Sequence, residues 1–486
     1  MDLADLPSVL LQDILFRAAR GATAERVAKL MSVCELFRRE IKICSVKHKT
    51  HARPKADQPL KLRDCAALKS LFVIEPDLRF SSGYLDRSGT AVALQALTSL
   101  TIAMPIYSSH QEATRFECII KAAPALAVLV LKNAHYTLFT CLGSLHALKS
   151  LKFLNNYKCR INGEDSAAFS DLSDLLQSIM HLTTLQDLYI SCCGCYKLPN
   201  SIGQLTALQM LSLAGSVLLG LPDSIRHLTA LQTLDLCNCL SLTGLPDIIG
   251  QMTALTELDL DCLARVDMPG SLTGLPDSIG QLAALEILKL GGQPHLVGLP
   301  DSIGHLTTLQ MLNLSQCCGL VRLPDSIGHL TALQTLDLSQ CCRLVGLPDS
   351  IGQMTALTKL DLVCGLLKDS RYNYSWDVDT PWVADSPGSL ICLPYSIGQL
   401  AELEILSLRG QIHLVQLPDS IGHLTALQML DLSLCRGLVG LPDSIGHLTA
   451  LQTLNLSRCD HIELLPDSIG HLNALQTVNL SDHRNL

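Results

Sequence analysis

The chain has 486 residues, of which 48% are apolar but only 17% charged and 4% aromatic, and its formal net charge is −9. The acidic balance excludes an overall basic nucleic-acid-binding surface, and high apolar content with little charge per residue excludes disorder over most of the chain. With so few aromatics, Leu must supply the core volume, which points to layered aliphatic packing rather than to ordinary globular domains.

Residues 1–45 read as two or three short helices. Leu10, Leu11, Ile14 and Leu15 fall at helical spacing, Gly21 and Thr23 break the run, and Val27, Leu30, Met31 and Cys34 form a second stripe. So short a segment cannot build its own core and needs a neighbour. Asp2 and Asp5 stand where a secretory leader would be basic. The longest uncharged apolar stretch, Ala122–Leu131, is too short to span a bilayer. The expected setting is therefore cytoplasmic or nuclear, with no membrane partner and with reduced cysteines.

Leu6–Pro7 followed by Leu10, Ile14 and Leu15, and Val33–Cys34 followed by Phe37, resemble the F-box. The resemblance implies that Leu6, Pro7, Leu10, Ile14, Leu15, Val33, Cys34 and Phe37 dock on a Skp-type adaptor within a cullin ubiquitin ligase. Phe37 stands where Trp is commoner, and Arg17–Glu25 lacks the usual Leu-Pro stretch. The other reading of the segment is a plain helical cap over the first repeat. Residues 38–63 then hold nine Lys/Arg against Glu40 and Asp57. This run, with a linker over 46–59, reads as a solvated connector or as a basic address.

From residue 60 the chain is periodic. Irregular copies over 60–170 include Leu68/Leu71/Val73, Leu97/Leu100/Ile102, Leu126/Leu129/Leu131 and Leu148/Leu151/Phe153. Regular copies over 171–486 carry Leu-Pro at 198, 221, 245, 275, 299, 323, 347, 393, 417, 441 and 465, mostly 24 residues apart. The core phrase is L-x-x-L-x-L-x-x-C, as in Leu333, Leu336, Leu338 and Cys341. Leu336 and Leu338 alternate with polar neighbours as a short strand with one buried face. Pro348, Asp349 and Ser350 start a helical turn, with the small polar residues expected to cap its free N–H groups. One such unit cannot bury its apolar face alone, whereas stacked units can.

This pattern resembles the leucine-rich repeat family, and the L-P-x-S-I-G-x-L-x-x-L phrase resembles the repeats of plant disease-resistance and plant intracellular proteins. The resemblance implies an α/β solenoid that is curved, with a parallel inner sheet and short helices or turns outside. Residues 271–362 also match 389–480, so blocks of about four repeats were copied.

Ninth-position Cys193, Cys239, Cys317, Cys341, Cys435 and Cys459 read as small inward-facing residues, as in the family. Cys192, Cys193 and Cys195 lack a partner pair at zinc spacing, so no metal is expected, and no cofactor either. His227, His305, His329, His423, His447 and His471 alternate with Gln at one position, so polarity on the outer face is what they share. Fifth-position Asp235, Asp259, Asp337, Asp361 and Asp431 form a row on the exposed side of the inner sheet, with Asp235–Asp259 and Asp337–Asp361 adjacent. The row reads as a solvated polar face or as a docking strip for a basic protein target. Inserts interrupt the units starting at Leu245 and Leu347. The second carries Tyr372, Tyr374, Trp376 and Trp382, which read as target anchors or as aromatics packed on the repeats. No nucleophile–base set is present, so the expectation is a non-catalytic recognition protein. Two roles stay open: the substrate receptor of a Skp–cullin–F-box ligase, or a sensor or scaffold in defence or signalling.

Overall fold

The computed structural model describes residues 70–74, 97–103, 123–132, 142–154, 177–191, 196–262, 272–365 and 390–481. The F-box-like segment, the basic linker, Cys192, Cys193, Cys195 and the four aromatics of the second insert lie outside these residues. The chain divides into two compact units, Met1–Tyr157 and Lys158–Leu486, and each is described by itself.

In the first unit, strands β1 (Ser70–Ile74), β2 (Ser99–Ala103), β3 (Val128–Lys132) and β4 (Ser150–Leu154) pair in parallel and in chain order. Their register aligns Leu71, Leu100, Leu129 and Leu151, and the last three of these are buried. The irregular spacing of these copies falls in the connections, so the Leu column survives it.

In the second unit, twelve described strands follow one another: β5 (Asp187–Ser191), β6 (Met210–Ser212), β7 (Thr233–Asp235), β8 (Glu257–Asp259), β9 (Ile287–Lys289), β10 (Met311–Asn313), β11 (Thr335–Asp337), β12 (Lys359–Asp361), β13 (Ile405–Ser407), β14 (Met429–Asp431), β15 (Thr453–Asn455) and β16 (Thr477–Asn479). Each pairs in parallel with the next, and from β5 to β15 every fourth-position Leu faces the Leu of its neighbour, whereas on β16 Leu454 meets Val478, which is exposed, as is Leu480. The fourth-position Leu side chains of β5 to β15 are fully buried, as are the side chains two residues later. The result is the leucine-rich-repeat solenoid that the periodicity implied.

The chain leaves most strands of the second unit through a left-handed residue at the eighth position, such as Gln340 (φ 60) or Leu434 (φ 61). Gly410 fills this position at φ 78, and a Cβ there would collide with Cys364 O, so both backbone and space demand glycine.

Behind the strands run eleven described turns of 3-10 helix, from Asn200–Gln204 to Asp467–His471. They are the short helices or turns expected on the outer side. The expected side-chain caps are absent from all eleven. Pro takes the capping position in extended conformation, and its carbonyl starts the turn: Ile351 N donates to Pro348 O at 3.0 Å. A one-turn helix that begins on a carbonyl leaves Asp349 free to point at solvent.

Successive turns stack through Gly and Ser. A Cβ on Gly203 would lie 2.5 Å from Ser224 O, and one on Gly446 would lie 2.5 Å from Ser468 O. At Gly470, on the last described turn, it would meet nothing. The glycine is therefore needed for the neighbour, not for the turn itself.

Candidate functional site

The strands expose one continuous face. Fifth-position side chains stand in register across it: Asp235 beside Asp259, Asp259 beside Lys289, Asp337 beside Asp361, and Asp431 beside Asn455. Asp235, Asp259, Asp337, Asp361 and Asp431 all lie half-buried on this face, and the two adjacent carboxylate pairs read from the sequence are register partners.

Each of these carboxylates also does local work that the sequence reading missed. Its Oδ1 accepts the backbone N–H two residues on: Cys237 N to Asp235 at 3.0 Å, Asp261 N to Asp259 at 3.0 Å, Ser339 N to Asp337 at 2.9 Å, Val363 N to Asp361 at 3.2 Å and Ser433 N to Asp431 at 2.9 Å. Asn313, Asn455 and Asn479 accept the same bond. Asp and Asn interchange at these positions because the bond uses a side-chain oxygen, not a charge. The second oxygen is left for other partners. Ser212 Oγ donates to Asp235 Oδ2 at 2.6 Å, and Lys359 Nζ lies 3.7 Å from Asp361 Oδ2.

The charges concentrate around β8 and β9. Lys289 Nζ donates to Glu257 at 2.6 Å and to Asp259 at 3.1 Å. Burial pulls the Lys289 ammonium down, but these two contacts outweigh it and its pKa rises. Asp261, a seventh-position acid that the sequence reading did not single out, accepts Gly291 N at 2.6 Å and Asn313 Nδ2 at 3.0 Å. Burial pushes its carboxyl up to about 6, against the bond from Gly291 and with help from Asp259. At Asp361, burial and then Asp337 push in the same direction.

The inner side of the strands is tied together by hydrogen bonds between repeats. Sγ of Cys239, Cys317, Cys341, Cys435 and Cys459 donates to the carbonyls of Leu213, Leu290, Leu314, Leu408 and Leu432, at 3.0–3.4 Å. Burial pushes the Cys317 and Cys459 thiols up to about 12, far from reactive thiolates.

Gln293 and Gln411 hold the same ninth position after the two insert-bearing units. Their Nε2 donates to Leu260 O at 2.7 Å and to Leu362 O at 2.6 Å, while Oε1 accepts Leu272 N at 3.1 Å and Leu390 N at 3.2 Å. Each Gln thus secures the residue at which the chain rejoins the repeat after an insert. The ninth-position spacing alone could have found them.

The recurring His residues end the 3-10 turns and are exposed. Among the described residues, no group of three or more His, Cys, Asp and Glu is placed to hold a metal ion, and no helix is long and apolar enough to cross a membrane. One exposed apolar feature was missed. Val297, Val345, Val415 and Val439 line a flank between strand and turn, 47–65% exposed, and Val439 N bonds Val415 O at 3.1 Å.

A family model described as a leucine-rich repeat region matches residues 167–277, 275–374 and 391–485. Among solved structures, a leucine-rich-repeat protein of Leptospira interrogans is similar at 27% identity and TM-score 0.53, over 78% of this chain and 88% of that one. A chain of the Toll–Spatzle complex, titled a molecular hub in Drosophila development and innate immunity, is similar at 19% identity and TM-score 0.57, over 86% of this chain and 54% of that one. The second likeness shows the fold alone. No match is found among curated proteins.

Proposed function

The chain belongs to the leucine-rich repeat family, and from that premise we propose that it is a non-catalytic recognition protein whose strand face, β5 to β16, holds a protein target. The observation that carries this is the division of labour within each repeat. Gly and Ser fix the turn side, Leu and Cys fill the interior, and the strand-face positions vary from repeat to repeat among Met, Ile, Thr, Lys, Glu, Asp and Asn. A photo-crosslinking amino acid at Thr335 on the strand face should capture a target protein, and the same group at His329 on the turn side should not. Capture from His329 alone would reverse the assignment.

We further propose that residues 1–45 carry the adaptor contact, which makes the chain the substrate receptor of a Skp–cullin–F-box ubiquitin ligase acting in the cytoplasm or nucleus. The support is the set Leu6, Pro7, Leu10, Ile14, Leu15, Val33, Cys34 and Phe37. Burying each apolar side chain of this kind contributes about 1.5–3 kcal/mol. The double change Leu10→Asp, Ile14→Asp should therefore abolish co-purification with a Skp adaptor and leave the melting of the solenoid unchanged. An adaptor that the unaltered chain does not hold would return the segment to a repeat cap and the protein to a scaffold or sensor without ligase role.

A further inference from the structure

The first exposed position of each strand in the second unit shows a longer rhythm than the repeat. From β6 to β15 it reads Met210, Thr233, Glu257, Ile287, Met311, Thr335, Lys359, Ile405, Met429, Thr453. Ile287 and Met311 are register partners on β9 and β10, and Ile405 and Met429 are register partners on β13 and β14. Met311 is 38% and Met429 41% exposed; both Ile are half-buried.

A single exposed Met on a sheet needs no explanation. Here the pair occurs twice, and both copies keep it although several facing positions differ. Between the two copied blocks, Lys289 is matched by Ser407, Gly291 by Arg409 and Asn313 by Asp431, whereas Ile287 and Met311 are matched by Ile405 and Met429. Part of the surroundings diverged after copying, while Glu286/Glu404 and the apolar pairs were kept.

Four strand steps separate the pairs, which at ~4.8 Å per step is about 19 Å. An extended chain covers that distance in about six residues. Between the pairs stand Asp337 and Asp361, with Lys359 as the intervening cation. Glu286 and Glu404, both exposed, border the two Ile.

We infer that the strand face binds an extended segment of a partner protein running across β9 to β14, with two aliphatic side chains about six residues apart seated on the two Ile–Met pairs and Lys or Arg between them facing Asp337 and Asp361. This rests on the strand-face reading above and specifies the partner's chemistry. Two equivalent anchors on one rigid sheet make the second contact intramolecular once the first is made, so spacing on the partner becomes the selective feature.

The test uses fluorescent peptides of one composition, two Leu and a fixed number of Lys and Ser, in which only the Leu-to-Leu spacing changes from three to nine residues. Polarisation titrations against the full chain should peak at a spacing of six, about tenfold tighter than at three or nine. Met311→Lys and Met429→Lys should each flatten the peak. Met311→Ser and Met429→Ser, gentler to the fold, should do the same with melting unchanged. A flat spacing profile, a peak that none of these changes alters, or no binding to any peptide overturns the inference. Target capture from Thr335 together with a flat profile would leave the strand-face reading standing and remove this one alone.

Discussion

The turn side and the strand face of the second unit are built from the same repeat and obey different constraints. On the turn side seven of the eleven described units spell Pro-Asp-Ser-Ile-Gly, and Gly and Ser of neighbouring turns touch. The one described turn with Arg in place of this Gly, at Arg226, is followed by Ile248 in place of Ser. On the strand face the same spacing carries Lys, Glu, Met, Thr and Asn in turn, since these side chains need only leave the Leu column undisturbed. Uniformity marks the surface that the repeats use on each other; variety marks the surface left free for something else.

The sharpest way to break this comparison is to load the turn side. Gly446→Ala places a Cβ against Ser468 O and should lower stability by about 3 kcal/mol. The same change at Gly470, where nothing lies within contact, should stay within about 0.5 kcal/mol. Urea melts of the pair check this, and equal effects would remove the stacking argument. Next in size is Gln411→Leu, which leaves Leu362 O and Leu390 N buried without partners. It should lower the urea midpoint by the equivalent of about 2 kcal/mol, more than Cys341→Ala, after which Leu314 O still accepts Cys317 N at 3.2 Å.

Smaller effects sharpen the strand-face side. The Asp261 carboxyl, raised to about 6 by burial, holds more protons folded than unfolded between about pH 4 and pH 6. Its contribution is therefore fully present below about pH 4 and is lost as pH rises through about 6. Asp261→Asn should raise stability at pH 7 by about 1 kcal/mol, a figure reduced for its partial exposure, and should flatten the pH profile in that window. Smallest is Asp337: the change to Ala loses the bond to Ser339 N and should lower stability by about 0.5–1 kcal/mol, while the change to Asn keeps it and should be neutral by thermal melting.

The architecture was legible because one spacing recurs. The alternation of Leu336 and Leu338 with polar neighbours fixed both strand and buried face, and the register followed from repetition. What the sequence hid depends on where the backbone bends after the strand. The bond from Ser339 N to Asp337 Oδ1 forms where the backbone bends just before left-handed Gln340. The same local bond gives the Asp row a structural role that charge counting could not see. The missing caps have a similar origin. Pro348 was placed as the first helical residue, but it precedes the turn and supplies the carbonyl itself. The Gly–Ser contact was invisible because its two residues lie in different repeats.

The central claim is that the two surfaces divide stability from recognition. Its most direct measurement is a paired scan in which single substitutions on the turn side (Gly446, Ser444, Ile445) and on the strand face (Thr335, Met311, Met429) are each read for melting temperature and for target capture from a photo-crosslinker at Lys359. The account predicts that turn-side changes lower the melting temperature and that strand-face changes reduce capture with melting unchanged. Capture that falls only in proportion to lost stability, whichever face is altered, would contradict it.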